Sequence, residues 1–522
     1  MPIISDTQHR NLTFWGMALI AIGLPLSGFL ISIGTFVLAG NWLLERDYKQ
    51  RLKRFFTDPL SLIIVSIYLL FVVGMIHTEN VDQGLKELRI KLPILLLPLF
   101  LFTSKLPSKK RLQDILLLFV MACVIGTGVS MIRYFGIADD EIVNRRHLSV
   151  FISHIRFGLM VVLSFFILTY YLIAKQKHWS IVDKILTLGI MGWLFYFLIL
   201  LESPSSYLGF VAVLCFSLLR LIFTLNKLWL KIITVLIILV GSSFSFLYVN
   251  AIYQNHLLDL PFERQKLDLK TANGRYYSHE PAILKRENGH RTWNYVCWQE
   301  LYNEWPKQSQ IPLNGKDKHG NEVKYTLIRY LASKGFRKDS IGLNKLSSID
   351  IRHIENGFTN YKYADNWGVS RKINQLFWEM NEYETKGDPN VSSLMQRVVY
   401  FRSGLQIVGK HFLFGVGTGD LYAEFQLLYS KNDNGLIEKR KGISHNQFLS
   451  IAIGVGVIGF AWFVFALFFP LREYWKDYLY TTFLLLIVVS LLSDNTLDSQ
   501  AGATFFAFFN ALLMVRKEFE AV

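Results

Sequence analysis

The sequence predicts an all-α polytopic membrane protein with about twelve transmembrane helices and one large extracytoplasmic insert between the ninth and tenth helices. Three observations support this fold class. Hydrophobic residues make up 52% of the chain and charged residues only 18%, a balance that soluble domains rarely have. The apolar residues form long runs separated by short charged strings, and the basic residues are concentrated in alternate loops, as orientation in a membrane requires.

Most apolar runs approach the roughly 20 residues that an α-helix needs to span a bilayer. The first two runs are short and meet at Gly23–Leu24–Pro25, so they could also form one broken helix, which would invert the orientation. The run at 91–103 contains Pro93 and Pro98 and could be a re-entrant or tilted segment. We predict crossings near residues 12–24, 28–44, 58–76, 91–103, 112–135, 148–174, 182–200, 204–223, 228–250, 446–470, 477–492 and 500–515.

The distribution of basic residues predicts the orientation. The loops after the second and fourth crossings are strongly basic, whereas the short loops on the other side hold few basic residues and include Asp494 and Asp498. Because basic loops face the cytoplasm, both termini are expected there and the insert is expected outside. The formal net charge of +15 is then explained by membrane orientation and not by nucleic-acid binding. The basic residues of those two loops include Arg46, Lys49, Arg51, Lys53, Arg54, Lys105, Lys109, Lys110 and Arg111.

The crossings divide the chain into three predicted segments. Residues 1–250 would form an N-terminal bundle of about nine spans, and residues 445–522 would form a C-terminal bundle of about three spans. Between them, the insert at 251–444 is long enough for a small domain, in which we predict helices at Lys324–Gly335 and near 393–410. Its core could be built from the tryptophans Trp293, Trp298, Trp305, Trp367 and Trp378.

The stretch 397–459 carries the most specific motifs. An arginine-bearing amphipathic helix is followed by the glycine turn Gly415–Asp420 (GVGTGD) and by Ser444–Asn446 (SHN) at the start of a glycine-containing span. Together these features resemble the O-antigen ligase/O-antigen polymerase family of bacterial lipid-linked-glycan transferases. Strings in the insert resemble a Bacteroidetes-like branch of that family. The resemblance covers most of the chain in architecture but only about 60 residues by motif, and it implies a GT-C-type ligase fold.

His445 is the predicted catalytic residue. It lies where the insert re-enters the membrane, and Ser444 is a suitable N-cap for the following span. The positive potential of a helix N-terminus favours a neutral imidazole, which can act as a general base for a sugar hydroxyl. The free N–H groups of that terminus could also bind a diphosphate. On position alone, a histidine here could simply be a polar helix start, and the family motif favours the catalytic interpretation.

Three arginines are predicted to bind the diphosphate of the substrate. Arg397 and Arg402 flank the apolar stripe of the helix near 393–410, and guanidinium groups suit pyrophosphate oxygens. Arg156 lies at the outer end of a span, where ionisable residues are functional candidates. Each arginine could instead anchor the protein to lipid headgroups. Members of the family often carry Ser-Arg before the eighth span, but that arginine is missing from Glu202–Ser206 (ESPSS), so another arginine, such as Arg156, could take its role.

Four further residues are predicted to support the site. Gly415 and Gly417 allow a tight turn that returns the chain toward His445. Asp420 could orient His445, bind a sugar or simply be a solvated turn residue. Asn446 could hold His445 or a sugar hydroxyl. The sequence has no HExxH or DxD motif and no Cys/His cluster, so no metal site is predicted.

The resemblance implies a metal-independent, inverting glycosyltransferase without a cofactor, in the bacterial inner membrane. It would move a glycan from undecaprenyl diphosphate to a hydroxyl of a lipid A-core sugar at the periplasmic face, as in lipopolysaccharide biosynthesis. An O-antigen polymerase, which extends the glycan, and a protein O-oligosaccharyltransferase remain alternatives. A non-enzymatic transporter or flippase, or an assembly scaffold, would also fit the number of spans. We find no inverted repeat, and the ionisable residues cluster at the outer face and not the midplane, which disfavours a transporter.

Overall fold

The computed structural model describes residues 4–135, 148–174, 179–257, 267–283, 285–318, 320–365, 369–431 and 435–521. The fold is almost entirely helical, which confirms the predicted all-α class. Its contacts divide the chain into two compact units, one formed by Met1–Asn226 with Met395–Val522 and the other by Lys227–Leu394.

The first unit contains the helices α1 (Asp6–Leu26), α2 (Gly28–Leu44), α3 (Tyr48–Thr57), α4 (Pro59–Val73), α5 (Val81–Lys91), α6 (Pro93–Thr103), α7 (Lys109–Tyr134), α8 (His154–Ala174), α9 (Ile181–Leu201) and α10 (Pro204–Thr224). The second unit contains α11 (Leu228–Leu257), β1 (Arg286–Glu287), β2 (His290–Arg291), α12 (Trp298–Glu304), α13 (Val323–Ser333), α14 (Ser340–Asn344), α15 (Ser348–Glu355), α16 (Tyr361–Asp365) and α17 (Val369–Lys386). Helix α18 (Ser393–Lys410) leads back into the first unit, followed by α19 (Leu421–Lys431), α20 (Gln447–Phe468), α21 (Leu471–Tyr474), α22 (Tyr478–Ser493) and α23 (Gln500–Ala521).

A helix occupies each of the twelve predicted crossings. Among the described residues, six helices are long and apolar enough to cross a membrane: α7, α8, α9, α10, α11 and α20, the last continued through α21. Helices α4 and α22 are apolar but shorter, and α6 has only 11 residues and contains Pro98. A polytopic membrane protein is therefore confirmed, whereas the count of twelve and the orientation stay predictions.

Helices α1 and α2 form an antiparallel hairpin. His9 hydrogen-bonds to Asn41 at 2.7 Å at one end. In the middle, a Cβ atom on Gly34 would lie 2.7 Å from the carbonyl oxygen of Gly16, so the two backbones are in close contact. Both glycines are needed there because any side chain would separate the helices. The hairpin excludes the alternative of one broken helix and makes these runs two separate helices lying side by side.

The core of the first unit is apolar and lies between packed helices. Helix α23 packs against α6, and α22 packs against α8 and α10. Phe119 of α7, Phe483 of α22 and Phe509 of α23 form an aromatic cluster at this core, with ring centroids 4.8–5.6 Å apart. Such contacts add to the burial of apolar area, and they join α22 to α7 and α23.

The second unit has its own core. Trp305 and Leu327 are fully buried in it, and Trp293 and Trp298 pack against it. The helix predicted at Lys324–Gly335 is confirmed as α13, which is followed by Gly335 in a left-handed conformation with φ 72°. Strands β1 and β2 pair antiparallel. Of the other predicted core tryptophans, Trp367 and the side chain of Trp378 lie outside the described residues.

Asp350 is a buried acid of the second unit with several bonding partners. Its carboxylate accepts bonds from Lys334 Nζ at 2.6 Å and from the hydroxyl of Tyr330 at 2.7 Å, and it caps α15 through the backbone N–H of Ser347. Burial raises the pKa of Asp350, but these bonds outweigh burial and lower the pKa to about 2. The charged carboxylate therefore stabilises the folded insert.

The compact units differ from the three predicted segments at two boundaries. Helix α11 groups with the insert, and residues 395–444 group with the bundle. One reason for the second difference is that α18 packs on α20. A Cβ atom on Gly404 would lie 2.7 Å from Leu449, and Ile407 is buried beside it. The predicted amphipathic helix is thus a part of the bundle that carries the candidate site.

Candidate active site

Three of the predicted site residues meet at the end of α22. The chain leaves this helix at Asp494, whose backbone is extended. One carboxylate oxygen of Asp494 lies 3.4 Å from His445 Nδ1, and the other lies 3.7 Å from Arg156 Nη2. Arg397 donates a hydrogen bond of 3.0 Å from Nη1 to the carbonyl oxygen of Ser493. Residues from α8, α18 and the segment before α20 therefore converge on the end of α22, and two of them, His445 and Arg156, contact the carboxylate of Asp494.

The backbone of His445 has an unusual conformation. Its φ of 46° lies in the left-handed region, which non-glycine residues adopt rarely and mostly where the surrounding structure enforces it. Its side chain is 41% exposed, and its ring lies 5.8 Å from that of Tyr400. Because Nδ1 faces Asp494, Nε2 is left on the other side of the ring. The backbone turn thus presents one ring nitrogen to the carboxylate and the other to an incoming group.

Asn446 is the N-cap of α20, in place of the predicted Ser444. Its side chain accepts from Leu449 N–H at 3.0 Å and donates to the carbonyl oxygen of Leu492 at 3.1 Å. The second bond ties α20 to the end of α22. Ser444 instead bonds to Ser450 at 2.6 Å. The N-cap lies two residues after the predicted Ser444, because the left-handed turn at His445 must come before the first helical residue.

Asp494 is charged at neutral pH. Burial raises the pKa of this carboxyl, but the hydrogen bond with His445 and the charge of Arg156 outweigh burial and hold its pKa below the usual range. A buried carboxylate beside a histidine can fix the tautomer of the imidazole and stabilise the imidazolium that forms when the ring takes up a proton.

Arg156 lies in the first turn of α8. Its side chain is 20% exposed, and its Nε is buried with no hydrogen-bond partner among the described residues. The next turn packs closely on α10, since a Cβ atom on Gly158 would lie 2.0 Å from Ser206 Oγ. Ser206 belongs to the string in which the arginine typical of the family is missing. Arg156 therefore lies two residues before the position at which α8 contacts this string.

The structure separates the two arginines of α18. Arg397 reaches the end of α22, whereas Arg402 is exposed. The helix buries Tyr400 and Ile407, while Phe401 and Leu405 of the predicted apolar stripe are 44% and 51% exposed. The side of the helix that carries Phe401 and Leu405 therefore faces away from the protein core, and Arg402 is not brought to the group around Asp494.

The glycine turn fills a break in α20. Helical geometry is interrupted at Gly456, with φ 69° and ψ −178°. The exposed backbone groups pair with the turn: the N–H of Val416 donates to Ile453 and the N–H of Gly417 donates to Gly454, each at 2.9 Å. A Cβ atom on Gly415 would lie 2.5 Å from this backbone. Gly415 and Gly417 thus serve backbone packing, and both have positive φ.

Asp420 lies at a different place from the one predicted for a partner of His445. Its two carboxylate oxygens accept the backbone N–H groups of Glu79 and Asn80 at 2.9 and 2.8 Å. It therefore fixes the turn before α5, and Asp494 is the carboxylate in contact with His445. Thr418 assists by donating to the carbonyl oxygen of Phe71 at 2.7 Å.

Part of the chain matches a known protein family. Residues 366–464 match the family model described as O-antigen ligase. This part of the chain is similar to the O-antigen ligase domain. The predicted family is thereby confirmed, and the family implies a membrane protein with glycosyltransferase-like activity on lipid-linked glycans. No curated protein matches the chain.

The O-antigen ligase match includes His445 and Arg397 but neither Arg156 nor Asp494. From the sequence, Asp494 serves only as an acidic residue that helps to predict which loops lie outside. The one signal that could have singled it out is its position directly after an apolar run, on the same predicted side as His445. In the described part of the chain, no group of three or more His, Cys, Asp or Glu side chains could hold a metal ion.

Proposed function

We propose that this O-antigen ligase-like protein transfers a glycan from undecaprenyl diphosphate to an acceptor hydroxyl, with His445 as the general base. The observation that carries the proposal is the contact of His445 with Asp494 beside Arg156 and Arg397. Such a transfer needs a base for the acceptor hydroxyl and positive charge for the leaving diphosphate. His445, oriented by the carboxylate, supplies the base, and the two guanidinium groups supply the positive charge.

The reaction is one displacement at the anomeric carbon. His445 Nε2 takes the proton of the acceptor hydroxyl while the hydroxyl oxygen forms a bond to that carbon. The bond from the carbon to the diphosphate oxygen breaks, and its electron pair stays on the diphosphate. Arg156 and Arg397 stabilise the negative charge that develops there. Attack from the side opposite the leaving group inverts the anomeric carbon, and Asp494 stabilises the protonated ring.

The acceptor distinguishes the related activities. A hydroxyl of lipid A-core sugar makes the protein a ligase, the end of a growing glycan makes it a polymerase, and a Ser or Thr side chain makes it a protein O-oligosaccharyltransferase. We propose the ligase in the inner membrane, with the site at the periplasmic face. This orientation follows from the basic loops, and the same orientation places the start of α20 at that face.

The test is glycan transfer by His445→Ala at matched membrane levels, followed by the size distribution of lipopolysaccharide. We expect about a 10²–10⁴-fold lower transfer rate, as for loss of a general base. If the protein is a ligase, cells with His445→Ala should keep the lipid A-core bands and lose the glycan-bearing ladder. They should also accumulate lipid-linked glycan of full chain length. Accumulation of single repeat units would identify a polymerase instead. An unchanged ladder would contradict catalysis by His445 and favour a transporter or scaffold.

A further inference from the structure

A second polar site lies on the other side of the start of α20. It is a cavity of about 370 Å³ between α4, α5, α19 and α20, within the roughly 300–1,000 Å³ that small-molecule sites occupy. Its floor holds Lys91, whose side chain is 2% exposed, between Glu87 at 2.6 Å and Asp498 at 2.9 Å. Neither the proposed reaction nor the family motif uses these groups.

The formal charge of this cavity is opposite to that of the active site. Lys91 is the one basic residue in the described lining, against the two acids Glu87 and Asp498, so the cavity has a formal charge of −1. The group around His445 has two arginines and one acid, a formal charge of +1. A diphosphate is attracted to the arginines and repelled by the cavity. Ionised carboxylates accept hydrogen bonds only, so the cavity suits a neutral ligand that carries hydroxyl donors.

The remaining lining also suits a polyhydroxyl ligand. The amides of Gln83 and Gln447 each donate to one of the carboxylates, at 3.0 Å to Glu87 and 3.1 Å to Asp498. These bonds hold the carboxylates in place and leave the cavity rich in acceptors. Tyr422 belongs to the lining and is 57% exposed, so its ring is accessible to the apolar face of a sugar.

Short chain segments connect the cavity to the active site. Gln447 follows His445 by two residues, and Asp498 follows Asp494 by four residues. Two residues of chain extend at most about 7 Å. The backbones of His445 and Gln447 are therefore close, and the same short segment contributes a side chain to each site. One loop, 494–498, supplies a carboxylate to each site.

We propose that this cavity binds a neutral sugar ring of the glycan substrate and holds it while the arginines bind the diphosphate. The inference rests on the proposed function. The sugar could belong to the donor, next to the diphosphate, or to the acceptor, next to the attacking hydroxyl. Glu87 and Asp498 accept hydroxyl hydrogen bonds, and Tyr422 packs on the ring.

The test uses the full-length protein in detergent and two probes. The first is a panel of methyl glycosides of glucose, galactose, mannose and N-acetylglucosamine, followed by saturation-transfer NMR. The second is inorganic pyrophosphate, followed by calorimetry. The cavity variants are Glu87→Gln and Tyr422→Ala. Asp82→Asn, a carboxylate change on the exposed side of α5, is the matched control.

At least one glycoside should bind the wild type and Asp82→Asn, and its affinity should fall about tenfold or more in Glu87→Gln, as expected for loss of a charged hydrogen-bond partner. Tyr422→Ala should weaken the same glycoside without changing the fold, because that side chain is largely exposed. Pyrophosphate affinity should stay unchanged in both variants. Equal glycoside binding in all four proteins, or no glycoside binding to the wild type, would overturn the inference.

Two further measurements separate this inference from the proposed function. Arg397→Ala should lose pyrophosphate binding and keep glycoside binding. If pyrophosphate binding survives that change, the proposed diphosphate site is wrong while the sugar cavity stands. In transfer assays, the cavity variants should raise KM for one substrate by about tenfold, which identifies the sugar as that of the donor or of the acceptor. Unchanged KM for both would contradict a sugar site.

Discussion

Replacing Asp494 with asparagine tests the assignment of His445 most directly. Asparagine has the shape of aspartate, so the turn after α22 should be kept. Its amide, however, can donate a hydrogen bond to His445 Nδ1. The proton of a neutral imidazole then lies on Nε2, and a protonated Nε2 cannot take the proton of an acceptor hydroxyl. The change should therefore lower turnover without removing any group that contacts the diphosphate.

The size of the effect follows from the geometry. General base catalysis contributes about 10²–10⁴-fold, which sets the upper limit. The contact of 3.4 Å is longer than the roughly 2.7–2.9 Å of strong charge-assisted bonds, and the imidazole is 41% exposed, so water can partly replace the carboxylate. We therefore expect kcat to fall about 10–100-fold, or about 1.4–2.7 kcal/mol at about 1.36 kcal/mol for each factor of ten.

The donor should bind at least as well in this variant. The formal charge of the group formed by Arg156, Arg397 and residue 494 rises from +1 to +2. The Arg156–Asp494 contact of 3.7 Å is long for an ion pair, so its loss should change the free energy of donor binding by no more than the roughly 1 kcal/mol of a weak ion pair; KM for the lipid-linked donor should stay constant or fall by up to about fivefold. A residue with a purely structural role would instead raise KM and lower protein levels.

The assay is initial-rate glycan transfer in proteoliposomes at varied donor concentration. Asp494→Glu should recover part of kcat, because it restores the carboxylate. Glu438→Gln, which removes an exposed acid from the segment before His445, is the control and should behave as the wild type. An Asp494→Asn variant with kcat within twofold of the wild type, or with a raised KM alone, would refute the proposed role of the carboxylate.

The remaining predictions concern the arginines, the break in α20 and the insert. Arg397→Lys should lower kcat/KM for the donor about tenfold or more, because an ammonium group cannot replace the guanidinium fork, whereas Arg402→Lys should stay within about twofold; equal losses would contradict the assignment. Gly456→Ala should destabilise the protein by about 2 kcal/mol or more, because the φ of 69° at Gly456 and a Cβ contact of 2.2 Å exclude a side chain. The control is Gly128→Ala, which should not lower the melting temperature because a Cβ atom at Gly128 meets open space. Asp350 has a folded pKa of about 2, below the ordinary value of about 3.9, so its stabilising contribution of about 2 kcal/mol should be complete above about pH 4 and be lost as the pH falls toward 2. The difference in melting temperature between the wild type and Asp350→Asn should shrink over that range, and a constant difference would count against this ion pair.

Local features of the site could be predicted from the sequence. The helix near 393–410 and its start at Ser393 follow from apolar periodicity. His445 was found because it stands at the boundary between a polar segment and an apolar run, within a recognisable motif. The N-cap at Asn446 was missed, since Ser444 is an equally good capping residue by type. Only the left-handed backbone at His445 shifts the helix start by two residues.

Residue roles that depend on packing could not be predicted. Asp420 and Asp494 are both acids in loops predicted to lie outside, and Asp420 is closer to His445 in sequence. Asp420 binds the turn before α5 because the glycine turn is paired with the break in α20. Arg402 has the residue type of Arg397 and lies on the same helix, but only Arg397 faces α22.

The sequence by itself determined the membrane class, the helical runs, the predicted orientation and the identity of the candidate base, because hydropathy, charge and capping are properties of short segments. Tertiary structure decided that α1 and α2 form a hairpin, that Asp494 is the partner of His445, and that Arg156 joins Arg397 at the end of α22. These facts depend on which helices pack together and on the rotation of each helix about its axis. Both are set by contacts between segments that lie from about 30 to more than 300 residues apart.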